Sequence, residues 1–190
     1  ACHIPLVLEE RYLCRLCQKQ IAPLKPPQCI RCAEALPPFG SGRSLCSACR
    51  SQRPCYDRGF ALVLYQDPVR TIFHQIKFQK KPWLLKIFSD LIQNFSSLNN
   101  LRTYEVMVPI PLEWGRERER GFNQALMIAR LINGEGWIPL SNILKKNKKT
   151  PPQSQLKREE RLVNLKGAFS IRKRGAVRGK RVLLVDDIFT

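Results

Sequence analysis

Two acids near the end of the chain offer the clearest chemistry. Asp186 and Asp187 follow the apolar run Val182–Val185 and precede Ile188-Phe189-Thr190. An apolar run this short, bounded by charge, predicts a buried strand of a parallel sheet. In open α/β sheets, ligands bind beyond the carboxyl ends of such strands. Paired carboxylates there accept hydrogen bonds from sugar hydroxyls or hold a divalent metal. A buried strand running into an acidic helix N-terminus would show the same residues. Upstream, Arg116 and Arg120 lie four apart and share a helical face. Guanidinium groups at that spacing clamp a phosphate, although a helix entry with Arg–Glu pairs on solvent fits equally well. Asn123 and Gln124 add donors and acceptors with no helix-propensity advantage.

A second chemistry sits at the other end. All eight cysteines lie in the first 55 residues, and six form C-x-x-C pairs: Cys14/Cys17, Cys29/Cys32 and Cys46/Cys49. Such a pair puts two thiolates on one tight turn, and two pairs complete a zinc site. A disulfide scaffold is the competing reading. The α/β pattern downstream and the lack of a signal peptide argue against it. No βαβ pattern surrounds any pair, which disfavours a redox dithiol. Cys29/Cys32 with Cys46/Cys49 is the preferred ribbon. Cys14/Cys17 then needs partners, for which Cys2 and His3 are candidates. Grouping Cys14/Cys17 with Cys29/Cys32 would orphan Cys46/Cys49. Cys55 reads as structural or free.

The elements that must position these groups are legible in outline. Gly59–Tyr65 reads as a strand. Pro68 opens a helix with apolar residues at Val69, Ile72, Phe73 and Ile76. A second helix is predicted over roughly 83–95, with Leu84, Leu85, Phe88, Leu91, Ile92 and Phe95 on one face. Val106–Ile110 reads as a short strand. An amphipathic helix follows Gln124 to about Ile132. Residues 141–160, rich in Lys, with Pro151-Pro152, read as a mobile loop. It is a hood over a ligand, a contact for single-strand phosphates, or a solvated linker; the linker is favoured for Lys145–Lys149. A helix over 158–164 and a strand over 167–171 come next.

Composition sets the bounds. The chain has 190 residues, 44% hydrophobic, enough for one sizeable core and a small extra module. The first residue is Ala1 and the last lies inside a motif, so a fragment of a longer reading frame is expected. No apolar run reaches membrane-spanning length. Net charge is +18, and residues 114–181 hold eighteen basic against five acidic groups. Such a field attracts polyanions: nucleic acid, phosphorylated metabolites or an acidic partner. A solvated basic surface would look the same.

Val182–Thr190 resembles the phosphoribosyl pyrophosphate (PRPP) motif of type I phosphoribosyltransferases: four apolar residues, two acids, two apolar residues, then a Thr/Gly-rich loop. The resemblance implies Asp186 and Asp187 on the ribose hydroxyls. It places Thr190 at the start of the loop for the 5′-phosphate. Many purine-specific members carry an Asp general base where this chain has Thr190, which sets ordinary purine chemistry aside. The wider order of motifs is Cys pairs, the Tyr65 strand, Ile76-Lys77-Phe78, Val108-Pro-Ile-Pro111, Arg120-Gly-Phe-Asn-Gln124, Gln155…Arg158…Arg161…Asn164…Gly167-Ala-Phe169, and Val182–Thr190. This order is similar to that of the ComF family of competence-related phosphoribosyltransferase-like proteins and covers almost the whole chain.

The resemblance implies an α/β fold: a type I phosphoribosyltransferase-like parallel sheet with a small N-terminal zinc-ribbon module. The module would span 1–57 and the sheet domain 58–190, with the last strands and helix missing. It implies structural Zn2+ on Cys14, Cys17, Cys29, Cys32, Cys46 and Cys49, and Mg2+ accompanying PRPP. Lys77, Arg116, Arg120, Asn123 and Gln124 are the candidates for the pyrophosphate. The implied setting is cytoplasmic, in DNA uptake. Implied partners are PRPP or another phosphoribosyl ligand, single-stranded DNA and competence helicase-type proteins, and no membrane. The implied enzyme class is a phosphoribosyltransferase, with these 190 residues alone expected to be inactive because most of the 5′-phosphate loop is absent. The alternative is a non-catalytic module gripping single-stranded DNA through 114–181.

Overall fold

The structure is a computed structural model that describes residues 12–38, 44–94, 101–134, 136–151, 156–157, 160 and 163–189. The chain forms two compact units, Ala1–His74 and Gln75–Thr190.

In the first unit the short helices α1 (Arg15–Gln20) and α2 (Ser47–Ser51) each begin directly after a cysteine. The strand expected over 59–65 is reduced to one antiparallel bridge, Pro23↔Val63. Its hydrogen bonds are Leu24 N–H to the Leu62 carbonyl (3.1 Å) and Leu64 N–H to the Ala22 carbonyl (3.2 Å). The reason lies in the partner segment. Pro23 has no N–H to donate, and Pro26-Pro27 follow closely, so the ladder cannot extend.

Helix α3 (Val69–Phe78) forms as its periodicity predicts, with Val69, Ile72, Phe73 and Ile76 buried. The Asp67 carboxylate braces its start, accepting from Thr71 Oγ1 (2.7 Å) and Arg70 Nη2 (2.6 Å). The helix expected over 83–95 is instead a 3-10 helix at Pro82–Phe88, continued by α4 (Ser89–Gln93). Leu84, Leu85, Phe88 and Ile92 are buried in either geometry. Over seven residues, periods of 3.0 and 3.6 bury nearly the same positions, so pattern alone does not separate them. Phe95 lies outside the described residues.

The second unit is mixed α/β. Strand β1 (Val106–Pro109) is buried throughout. On one side it pairs in parallel with β4 (Val182–Val185), from Val106↔Val182 to Pro109↔Val185. On the other, Met107 N–H donates to the Pro139 carbonyl (2.9 Å), and Ser141 N–H donates to the Met107 carbonyl (2.9 Å). The 139–141 segment therefore runs parallel to β1 as well. Having neighbours on both edges explains why every β1 position is apolar. Strand β4 differs from the fully buried strand expected: Leu183 and Val185 are buried, but Leu184 is 57% exposed.

Between β1 and β4 the chain forms α5 (Trp114–Arg120), α6 (Gln124–Ile132), β2 (Leu144–Lys146) and β3 (Phe169–Ile171). Helix α6 packs on β1 and β4. Strands β2 and β3 are antiparallel, so part of the expected 141–160 loop is ordered by pairing. Val106, Val108 and Ile143 form a core cluster, packed by Leu144, Val177 and Val182. Glu160, Val163 and Asn164 are helical, while residues 158, 159, 161 and 162 of the expected helix lie outside the described residues. No helix among the described residues is long and apolar enough to cross a membrane.

Candidate functional site

Parallel pairing brings the ends of β1 and β4 side by side, and the sequence places its reactive groups there. Ile110 N–H donates to the Val185 carbonyl (2.9 Å), so the register holds to the last residue of each strand. Asp186 and Asp187 leave β4 at that point. Beyond β1, Glu113 caps α5, accepting from Gly115 N–H (2.9 Å) and Arg116 N–H (3.3 Å). These N–H bonds hold its carboxyl below the usual carboxylate range. The cap fixes the helix that carries Arg116 and Arg120.

Cations surround the two acids. Lys77, from the last turn of α3, places Nζ 2.7 Å from Asp187 Oδ2. That oxygen is sealed from solvent and makes no aligned hydrogen bond, so the contact is an ion pair. Arg120 is within electrostatic reach of Asp187 and Arg116; burial first, and the like charge of Arg116, lower its pKa while Asp187 opposes the change. Lys146 is lowered likewise, by burial and then Arg116, against Glu113 and Asp186. Asp187 N–H donates to Asp186 Oδ1 (2.8 Å). Asp186 keeps a solvent-exposed edge, yet protein atoms crowd its carboxyl. Burial first, and the charge of Asp187 second, push it up to about 7.

The structure thus gathers Asp186, Asp187, Lys77, Arg116 and Arg120 in one place. Arg116 Nη2 also donates to the Thr150 carbonyl (2.8 Å), tying the loop after β2 to the site. Asn123 acts on the backbone: Oδ1 accepts from Leu126 N–H (3.2 Å) as the α6 cap, and Nδ2 donates to the Ile110 carbonyl (3.0 Å). Gln124, the first residue of α6, is 3% exposed. Thr190 lies outside the described residues. Lys146 was not singled out by sequence. It enters the cluster through the β2–β3 pairing, with its ammonium over the Phe169 ring (5.6 Å). No local pattern within Lys145–Lys149 marks it.

The first unit carries the metal-type centre. The Sγ atoms of Cys29, Cys32, Cys46 and Cys49 all lie within 4.8 Å of one another. A tetrahedral zinc–thiolate site with bonds of about 2.3 Å separates its sulfurs by roughly 3.8 Å. Cys32 and Cys46 are 3.6 Å apart, so the donor set fits zinc. Two turns build it. Cys29 N–H donates to the Glu34 carbonyl (2.8 Å), and Ala33 N–H donates to the Cys29 carbonyl (2.9 Å). Ala33 takes a left-handed φ of 62° to close that turn. Cys46 caps α2, its sulfur accepting from Cys49 N–H (3.4 Å).

Burial works to raise Cys29, but N–H groups of Cys46, Cys32 and Arg31 outweigh it and bring the thiol to about 6. Burial pushes Cys46 up to about 11. Four thiols so close ionise together only around a cation. No disulfide joins the seven described cysteines, which removes the disulfide-scaffold alternative for them. Cys14 and Cys17 are buried on α1; Cys2 and His3, their candidate partners, lie outside the described residues.

No protein-family model matches the chain, and no solved structure gives a significant match. Curated proteins do match. The chain is 31% identical over 195 residues to competence protein F of Haemophilus influenzae, covering all of this chain and 83% of the relative. It is 32% identical over 131 residues to competence protein ComFC of Bacillus subtilis, covering 68% of this chain and 51% of that protein. It is 27% identical over 199 residues to the DNA utilization protein YhgH of Escherichia coli K12, again over all of this chain and 83% of the relative. The likeness to competence protein F spans the cysteine centre and the strand-end acids together, and the chain belongs to the ComF family.

Proposed function

We propose that the second unit is a type I phosphoribosyltransferase-like domain that binds PRPP, or a related phosphoribosyl ligand, at the ends of β1 and β4. The observation that carries the proposal is the acid pair at a parallel strand end, ringed by Lys77, Arg116, Arg120 and Lys146. A ligand with sugar hydroxyls beside a diphosphate needs acceptors next to cations, which is the arrangement seen. Carboxylate oxygens of the pair accept the ribose hydroxyls, and the ammonium and guanidinium groups neutralise the diphosphate. Mg2+ would travel with the diphosphate and offset its charge. In a transfer reaction a nucleophile bonds to C1 of the ribose, and the C1–oxygen bond breaks with its electrons leaving on pyrophosphate. Cations held in advance stabilise that departing charge. The names of the relatives place this activity in DNA uptake or DNA use, with a four-cysteine zinc centre as a structural module.

A second reading has its own support. Residues 114–181 carry a basic excess of thirteen, suited to the phosphates of single-stranded DNA.

A thermal shift assay tests the first reading. The protein is expressed from its natural reading frame, through any residues that follow Thr190, and loaded with zinc. PRPP with Mg2+ at a hundredfold excess over Kd should raise Tm by about 5 °C or more. Asp186→Asn with Asp187→Asn should abolish the shift; an equal shift in that variant, or none in the wild type, rejects the reading. The second reading requires single-strand affinity that falls steeply with salt, and a flat salt response rejects it.

A further inference from the structure

We propose that the two adjacent acids have different tasks: Asp187 positions Lys77 for the diphosphate, and Asp186 alone meets the ribose hydroxyls. The proposal rests on the phosphoribosyl reading above and assigns the residues within it.

Asp187 Oδ2 is enclosed, and the Lys77 ammonium lies against it at 2.7 Å. The side chains are only 21% and 12% exposed, so water screens the pair little. A carboxylate oxygen enclosed in this way meets a sugar hydroxyl only if the lysine leaves. An ammonium has three donors and no acceptor. With one side of Lys77 held by Asp187, the remaining donors are free to meet phosphate oxygens. Arg120 also feels the Asp187 charge, so this acid anchors cations rather than presenting a carboxylate to the ligand. Asp186 is placed differently. It is open to solvent, and Asp187 N–H bonds its Oδ1 at 2.8 Å, which sets the direction of the carboxylate.

Amine labelling of the ligand-free protein, read residue by residue by mass spectrometry, tests the pairing without any ligand. Lys77 should acetylate about tenfold more slowly than exposed lysines. Asp187→Asn should remove that protection, whereas Asp186→Asn should keep it. Calorimetry with PRPP and Mg2+ then tests the task. Lys77→Met and Asp187→Asn should each weaken PRPP binding about tenfold, and the double variant should be no weaker than either single one, as for groups acting as a unit. Asp186→Asn should weaken ribose 5-phosphate and PRPP alike, while Lys77→Met should lower the ratio of PRPP to ribose 5-phosphate affinity. Fast labelling of Lys77 in the wild type, equal exposure by both acid variants, or additive losses would overturn the division of tasks. If the wild type binds no PRPP, the phosphoribosyl reading and the ligand half of the proposal both fail, and the labelling rates still decide the pair.

Discussion

Asp186 and Asp187 are identical in type and adjacent in sequence, yet their surroundings separate them. Asp187 is paired with Lys77, whereas Asp186 is pushed up to about 7 by burial and by its neighbour's charge. A carboxyl raised above its unfolded value favours the folded state fully below that value, and loses the contribution as pH rises through about 7. Asp186→Asn should therefore stabilise the protein at pH 8 and change it little near pH 4. A sealed carboxyl would give several kcal/mol, but Asp186 is open to solvent, and screening leaves a gain of about 1 kcal/mol. Urea unfolding of the wild type and the variant at both pH values checks the sign. The type and place of these acids were legible from the apolar run before them. Their inequality was not, because it comes from Lys77, more than a hundred residues upstream.

The helices that carry the site depend on their ends. Gly121 closes α5 at φ 85°, and its N–H donates to the Glu117 carbonyl (2.8 Å). A Cβ there would meet nothing within 4 Å, so the cost of Gly121→Ala is conformational alone, about 1 kcal/mol. Asn123→Ala removes both the α6 cap and the tie to Ile110. It should cost more, about 2 kcal/mol, with denaturant midpoints as the measure. These effects follow from the Arg-Gly-Phe-Asn-Gln segment, which the sequence marked as chemical. The structure shows that Gly121 and Asn123 in it also set where Arg116 and Arg120 stand. Elements with local signals, such as α3 and α6, were legible from apolar spacing. The bridge at Val63, the 3-10 helix at Pro82–Phe88 and the β2–β3 pair depend on partner segments or on small differences in period, and so were not.

At the scale of the whole molecule, the two chemistries sit in separate units, and each has its own test. The Cys29/Cys32 with Cys46/Cys49 grouping preferred from sequence is the one the structure brings together. Chelation of zinc, or Cys49→Ser, should raise the protease sensitivity of residues 12–74 by about tenfold, since metal-ligand energy in such a module is folding energy. Limited proteolysis with and without chelator checks this, and unchanged cleavage would contradict a structural zinc. The family was legible from the order of motifs, and the match to competence protein F bears it out. The central claim, that the ends of β1 and β4 hold a phosphoribosyl diphosphate, is tested most directly by calorimetric titration of the zinc-loaded protein with PRPP and Mg2+. Saturable one-to-one binding, weakened about a hundredfold or more by Asp186→Asn with Asp187→Asn, is the predicted result. Absence of binding, or binding that the double variant leaves intact, would contradict it.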